Sequence, residues 1–229
     1  MFVDVHTHDI NIDNHEVIKI VNLSFTVNTS WDGDFPVLFS AGIHPWDANQ
    51  NFDLNDFREI LRKENVVAVG ESGLDKSHKE TFGKQHEIFL KMIDFSEKTH
   101  KPLIIHAVRT YSDIISIKKE TKAKMPWIIH GFQGSPESAQ QLIRHDLFLS
   151  FGEFLYRNEN QAVKVLKSIP VEKLFFETDV SGRNIVDVYE KAAALMNCDI
   201  DFLEEKIFDN FKQIFGYGKL EEQDTYFGW

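Results

Sequence analysis

Three features of the sequence predict an α/β chain folded as a (β/α)8 TIM barrel. Eight short apolar runs recur along it, helical three-and-four spacing fills most of the gaps between them, and the runs keep ending in a potential metal ligand. The runs are nearly all continuous rather than alternating, as expected of parallel strands covered on both faces. An open doubly wound sheet is the competing architecture, but the glycine-rich phosphate turn that usually marks it is absent from the sequence.

The first run, about residues 2 to 7, leads into His6-Thr7-His8. Side chains alternate faces along a strand, so His6 and His8 point the same way, as two imidazoles must to hold one ion, and Thr7 points away. A second run covers Val17 to Phe25, and a third, Val37 to Ile43, meets His44-Pro45-Trp46. The intervening linkers, Asp9 to Glu16 and Asn28 to Phe35, fall short of the dozen or more residues that a parallel crossover with its helix normally takes. Early outer helices are therefore expected to be missing, leaving apolar surface for another element to cover.

From Asp53 onward the alternation is regular. Leu54, Phe57, Ile60 and Leu61 mark a helix, and Val66 to Gly70 form the fourth strand, ending at Glu71. Phe82, His86, Phe89, Leu90 and Ile93 give a long amphipathic helix that stops near His100, before a fifth strand from Pro102 that ends at His106. A helix around Tyr111 to Lys119 precedes the sixth strand, Trp127 to His130. Ser135 as N-cap with Pro136 at the first helical position opens the next helix. Strand seven is Leu147 to Phe151, a helix follows near Gln161 to Lys167, and strand eight runs from Lys173 to Glu177 with Asp179 closing it. Helices around Val186 to Met196 and Phe202 to Ile214 precede a tail at 216–229. At 229 residues, one domain with one sizeable core is expected over 1–229.

An apolar content of 42% and 27% charged residues are globular values. The net charge of -11 argues against a broad electrostatic surface for nucleic acid or an anionic membrane, although metal ions in a cleft reverse the sign locally. Cys198 is the only cysteine, which excludes an intrachain disulfide, fits a reducing compartment and reads as structural. With no long apolar run and no basic segment followed by an apolar one at the N-terminus, a cytoplasmic location without a membrane partner is expected.

In a barrel all the strand ends open onto one face, so His6, His8, Glu71, His106, His130 and Asp179 become neighbours. Histidine and carboxylate donors without a thiolate suit zinc or manganese first, with magnesium or iron as alternatives. These groups are too many for one four-coordinate catalytic zinc, so two divalent metal ions sharing the Glu71 carboxylate are the economical arrangement. Such a pair acidifies a water and clamps a phosphoryl or acyl oxygen, and Asp179 is placed both to ligate and to take the proton from that water. His44 is expected to touch substrate or the activated water. Lys76, Arg109 and Arg183 follow strands four, five and eight and are candidate phosphate contacts. Asp75 is expected to orient Glu71 or a histidine rather than to bind metal. His15, His78, His86, His100 and His145 are expected in surface or capping roles away from the strand ends. Lys118, Lys119, Lys122 and Lys124 read as a solvated face, Phe202, Leu203, Ile207, Phe208, Phe211, Ile214 and Phe215 as core, and Tyr226, Phe227 and Trp229 as either a docked tail or an exposed contact.

The series His6-Thr7-His8, Gly42-Ile43-His44-Pro45, Gly70-Glu71-Ser72-Gly73-Leu74-Asp75, Ile105-His106, His130-Gly131-Phe132-Gln133-Gly134 and Glu177-Thr178-Asp179 resembles the TatD family of metal-dependent deoxyribonucleases, in order and nearly throughout the chain. Asn210 to Phe215 looks like that family's closing helix. The resemblance implies an amidohydrolase-like barrel, one metal on His6, His8, Glu71 and Asp179, a second on Glu71, His106 and His130, and hydrolysis of phosphodiester bonds, commonly in DNA. The chain departs from the family pattern around the substrate. Val180-Ser181-Gly182-Arg183 replaces a turn with proline and an aromatic, Val108 stands for an arginine with Arg109 one step on, Trp46 for a histidine and Lys76 for a tyrosine. The expected function is a divalent-metal-dependent phosphodiesterase acting on DNA ends or short oligonucleotides. Hydrolysis of a small ester, lactone or amide at the same site is the alternative, and a binding protein that has lost catalysis is disfavoured by the complete ligand set.

Overall fold

A computed structural model describes residues 1–11, 16–25, 37–157 and 161–216. Eight parallel strands follow one another in sequence order in a single sheet, the arrangement of a (β/α)8 barrel. They are β1 (Phe2–Thr7), β2 (Val17–Ser24), β3 (Leu38–Gly42), β4 (Val66–Asp75), β5 (Leu103–Val108), β6 (Trp127–Ile129), β7 (Leu147–Phe151) and β8 (Leu174–Phe176). The helices are α1 (Leu54–Leu61), α2 (Phe82–Thr99), α3 (Tyr111–Thr121), α4 (Pro136–Arg144), α5 (Gln161–Leu166), α6 (Ile185–Met196) and α7 (Ile200–Phe215). Closure between the last strand and the first runs through Asp179. Its N–H donates to the His6 carbonyl at 3.0 Å, and its carbonyl accepts the His8 N–H at 3.2 Å.

The predicted helices form where their periodicity and caps place them. Asp53 caps α1 by accepting the Asn55 N–H at 2.8 Å, and Ser135 caps α4 by accepting the Ser138 N–H at 3.3 Å. His100 ends α2 in the left-handed conformation, a capping role as expected. Between strands and helices lies a core that includes Phe57, Phe89, Trp127, Phe175 and Phe211, all fully buried. Among the described residues no helix is long and apolar enough to cross a membrane.

Several expectations need correction. The fourth strand does not end at Gly70 but continues to Asp75, and the fifth runs through His106 to Val108. Glu71 and His106 are thus interior strand residues. The long β4 brings His78 to the barrel mouth, where its ring lies 5.1 Å from that of Trp46 and its Nδ1 3.5 Å from Asp75, rather than on a remote surface. Lys118 is no solvated charge either, because its ammonium lies 4.6 Å over the Trp127 ring. In α7 the buried stripe is Leu203, Ile207, Phe211 and Ile214, and Phe202, one residue off that period, is exposed. The expected lack of helices in the first two connections falls largely on 12–15 and 26–36, and His15 and the aromatic tail at 217–229 likewise lie outside the described residues.

The last two helices do cover an early strand. Both α6 and α7 pack against β1. From α6 the buried Tyr189 hydroxyl accepts the Val3 N–H and donates to the Val3 carbonyl, both at 3.1 Å. From α7, Asn210 Nδ2 donates to the Leu174 carbonyl at 2.9 Å, at the head of β8. Tyr189→Phe removes the bridge to β1 and leaves a buried N–H without its partner, so urea unfolding should report a loss of about 1–3 kcal/mol. A loss below a few tenths of a kcal/mol would mean that helix packing alone holds β1.

Candidate metal centre

Glu71 lies at the centre of the site, only 5% exposed. Its backbone N–H donates to Asn22 Oδ1 at 2.8 Å. Two glycines let β4 pass close to β5 on either side of it. A Cβ on Gly70 (φ +141°) would lie 2.5 Å from the Ile104 carbonyl oxygen, and one on Gly73 (φ +153°) 2.0 Å from that of His106. No other residue type fits either position without moving β5.

The two carboxylate oxygens of Glu71 face different histidines. Oε1 lies 2.7 Å from His106 Nδ1, 2.8 Å from His130 Nε2 and 3.3 Å from His44 Nε2. Oε2 lies 3.4 Å from His6 Nε2. His6 and His8 share a face of β1, each with Nε2 at 3.6 Å from Asp179 Oδ1, whereas Thr7 turns to accept the Thr178 hydroxyl at 2.8 Å. Three sets of donor atoms therefore lie within reach of a shared cation: His6, His8 and Glu71; His6, His130 and Asp179; and His44, Glu71 and His106. All six residues expected as ligands meet here, and His44, expected against substrate, stands among them.

The donors fit a divalent metal. His6 is wholly buried, and neither of its ring nitrogens makes a hydrogen bond of ordinary geometry among the described residues. An imidazole facing two carboxylates across 3.4 and 3.6 Å leaves a gap that a cation would fill. Protonation follows the same field. Burial and the neighbouring His130 oppose charge on His6, yet its contacts with Asp179 and Glu71 outweigh them and push the imidazole up to about 9. Burial also opposes charge on His130, but Glu71 and Glu177 raise it well above its usual range. Glu71 is held well below the usual carboxylate range, because His130 and His106 overcome the effect of its burial. His8, exposed at the rim, is lowered by partial loss of hydration and by the neighbouring His6.

Comparisons with known proteins identify the family. The model of the family described as TatD related DNase matches residues 14–216. The chain belongs to the TatD family. Among the proteins it is similar to is an uncharacterized metal-dependent hydrolase of Escherichia coli (strain K12), YcfH. It is 31% identical over 195 residues, which cover 78% of this chain and 74% of the relative. Another uncharacterized metal-dependent hydrolase, YabD of Bacillus subtilis (strain 168), is 35% identical over 155 residues, 64% of this chain and 60% of that one. A protein named 3'-5' ssDNA/RNA exonuclease TatD, of Edwardsiella piscicida, is 26% identical over 200 residues, 77% of this chain and 76% of its own. In fold, the crystal structure of the TatD homolog YjjV from Escherichia coli K12 superposes with a TM-score of 0.81 at 20% identity, covering 94% of this chain and 98% of that one. This chain is accordingly a metal-dependent hydrolase of the TatD family.

Three supporting residues escape a reading of strand ends. Glu177, 1% exposed, accepts the Gly131 N–H at 2.6 Å and lies 3.5 Å from His130 Nδ1. Asn22 holds the Glu71 backbone. Asp4, fully buried, accepts the Thr178 N–H at 3.0 Å and its hydroxyl at 2.6 Å, next to Asp179, and burial pushes its carboxyl up to about 7. Asn22 and Asp4 share a signal, a polar residue inside an otherwise apolar strand, and Glu177 directly follows one. Asp75 lies 3.4 Å from His106 Nε2, in the orienting position expected of it. Of the candidate phosphate contacts, Lys76 pairs with Asp113 at 2.5 Å and Arg183 with Glu153 at 2.7 Å, while Arg109 is exposed with no ion pair among the described residues.

A TatD-family site with this protonation must lose protons as metal enters. At neutral pH the His6 imidazole carries a proton, and ligation removes it, so apparent affinity should rise with pH up to about 9 and fall as pH drops. Calorimetric titration of metal-free protein with zinc or manganese at pH 7.5, in buffers of different ionisation heat, should report release of roughly one proton or more per site filled. No buffer dependence would mean that His6 is neutral before metal arrives.

Proposed function

We propose that this chain hydrolyses phosphodiester bonds of single-stranded DNA ends or short oligonucleotides, using a dinuclear divalent-metal centre. The observation that carries the reading is Glu71, whose two oxygens face separate histidine sets. One metal would sit on His6, His8, Glu71 and Asp179, the other on Glu71, His106 and His130 with His44 alongside; zinc or manganese suits these donors best. When bound, such a pair supplies Lewis acidity toward a phosphoryl oxygen and makes a water acidic near neutral pH. The chain's own groups do the rest. Asp179, partly exposed and held below the usual carboxylate range by His6 and His130 against its burial, stays ionised and accepts the proton of the attacking water. Glu177 and Asp75 hold the rings of His130 and His106 from behind. His44 presents Nε2 to the same space as Glu71 and would touch substrate or the attacking water.

Arg109 is the first candidate for a substrate phosphate, since Lys76 and Arg183 would have to leave Asp113 and Glu153 to reach one. The exonuclease name of the Edwardsiella relative supports strand ends as substrate. The same paired state of Lys76 and Arg183 favours one second reading, hydrolysis of a small ester, lactone or amide whose carbonyl the centre would polarise equally well. We read 1–229 as one hydrolase domain working in the cytoplasm, consistent with the single Cys198, which packs beside the core unpaired. Metal analysis of the purified protein, followed by a screen of oligonucleotides, nucleotides and simple esters, tests the choice of substrate.

Further outcomes are expected from variants and from salt dependence. Glu71→Ala should release both metals together and His130→Ala chiefly one, whereas Asp179→Asn should keep at least part of the metal and lose roughly 10²-fold or more in turnover. Independent loss of the two metals in Glu71→Ala, or near wild-type turnover in Asp179→Asn, would reject the shared carboxylate or the base. Binding of single-stranded oligonucleotide should depend weakly on salt. At a slope of about -0.7 per phosphate contacted, two or three contacts give a magnitude of about 2. Efficient internal nicking of duplex plasmid with a slope of roughly 5 or more would require a basic groove and contradict the reading.

A further inference from the structure

Trp46 is 59% exposed, yet it is not a loose surface ring. Its indole Nε1 donates to Asp75 Oδ2 at 2.8 Å, and its backbone N–H donates to His44 Nδ1 at 3.2 Å. Asp75 is itself buried and fixed by the Ser77 N–H at 2.7 Å and the Ser77 hydroxyl at 2.5 Å. The indole meets the His44 ring edge-on at 4.9 Å and leans on His78 at 5.1 Å. Its centroid is 6.2 Å from that of His106. A large apolar ring is thus locked in one orientation beside two members of the metal centre and left open to solvent.

A fixed, uncovered indole one ring away from the reacting centre can bind a flat group attached to the reacting bond. We propose that Trp46 is a stacking platform for the nucleobase flanking the scissile phosphate, so that the enzyme selects phosphodiesters carrying a planar ring at that position. This inference rests on the phosphodiesterase reading above. It also answers a difficulty in it. With Lys76 and Arg183 already paired, phosphate contacts are few, and stacking supplies binding that does not depend on counterion release. Every base offers a π-face, so the platform should require a base without distinguishing which one.

The test compares oligonucleotides that are intact with ones of the same length carrying an abasic residue beside the cleaved bond. Binding is measured on metal-loaded Asp179→Asn protein, and cleavage on protein with Asp179 intact. A terminal 2-aminopurine reports stacking by loss of its emission. With Trp46 in place, the intact strand should bind more tightly than the abasic one, and 2-aminopurine should be quenched. Trp46→Ala should weaken binding of the intact strand roughly 5- to 150-fold, abolish the quench and leave abasic binding unchanged. Trp46→Phe keeps a ring while losing the bond to Asp75, so it should retain most of the preference and separates stacking from support of Asp75. Equal binding of intact and abasic strands by protein with Trp46 overturns the platform, even if Trp46→Ala fails to fold. Cleavage that persists without base preference overturns the platform and leaves the phosphodiesterase reading standing. Failure to bind or cleave any nucleic acid overturns both.

Discussion

Placing one carboxylate, Glu71, where water scarcely reaches it is the constraint on which the rest of the barrel mouth depends. An ionised carboxylate at that depth costs several kcal/mol unless opposite charge or hydrogen bonds surround it. Here His6, His44, His106 and His130 surround it, from four different places in the sequence. The backbone is arranged to the same end. Asn22 from β2 takes the Glu71 N–H, and the missing side chains at Gly70 and Gly73 let β4 run against β5 closely enough for Glu71 Oε1 to reach His106. Removing Glu71 would strip His6, His44, His106 and His130 of the one carboxylate they share, so the residue that organises the chemistry also organises the local fold.

The second dependence is that barrel closure and site assembly use the same atoms. The parallel bridge from Thr7 to Asp179 joins the first strand to the segment after the last one, and its hydrogen bonds belong to His6, His8 and Asp179. Those residues can meet around a cation only if the sheet closes. Conversely, any cation held by them adds its binding energy to closure. Asp4 and Thr178 extend the coupling into the buried part of the strands, since Asp4 fixes Thr178 immediately before Asp179.

Much of this was legible from residues alone, because two periods carry most of the information. Apolar runs and helical spacing place all eight strands and seven helices, and the histidines and carboxylates at the ends of six of those runs locate the mouth. The reading stopped short where a strand's polarity changed before its hydrogen bonding did. β4 continues through Glu71-Ser72-Gly73-Leu74-Asp75 because its face there is lined by histidines rather than by aliphatic groups, so hydropathy ended the strand five residues early. The longer β4 is also what brings His78, expected away from the strand ends, beside Asp75 and Trp46. Asn22 and Asp4 lie inside apolar runs whose residues read as scaffold, and Glu177 stands in a motif with Asp179 that gives it no role of its own. A buried polar residue in an apolar run must be paired, and here the partners are His130 and Gly131 for Glu177, the Glu71 backbone for Asn22 and Thr178 for Asp4. Which rim cations carry an ion pair was not legible at all, since Asp113 and Glu153 come from separate elements that only the folded chain brings to Lys76 and Arg183.

The carboxylates behind the histidines also decide how those histidines can act. His130 turns Nδ1 toward Glu177 and Nε2 toward Glu71, whereas His106 turns Nε2 toward Asp75 and Nδ1 toward Glu71. A proton held on the outer nitrogen by Glu177 or Asp75 leaves the lone pair of the inner nitrogen directed at the centre, so His130 would ligate through Nε2 and His106 through Nδ1. Without a cation, His130 faces Glu71 through Nε2 and Glu177 through Nδ1, and these two carboxylates drive it toward the imidazolium against its burial. The protons of the metal-free site thus occupy the positions that positive charge must fill, and the surplus of carboxylates over fixed cations around them makes a divalent ion the better occupant.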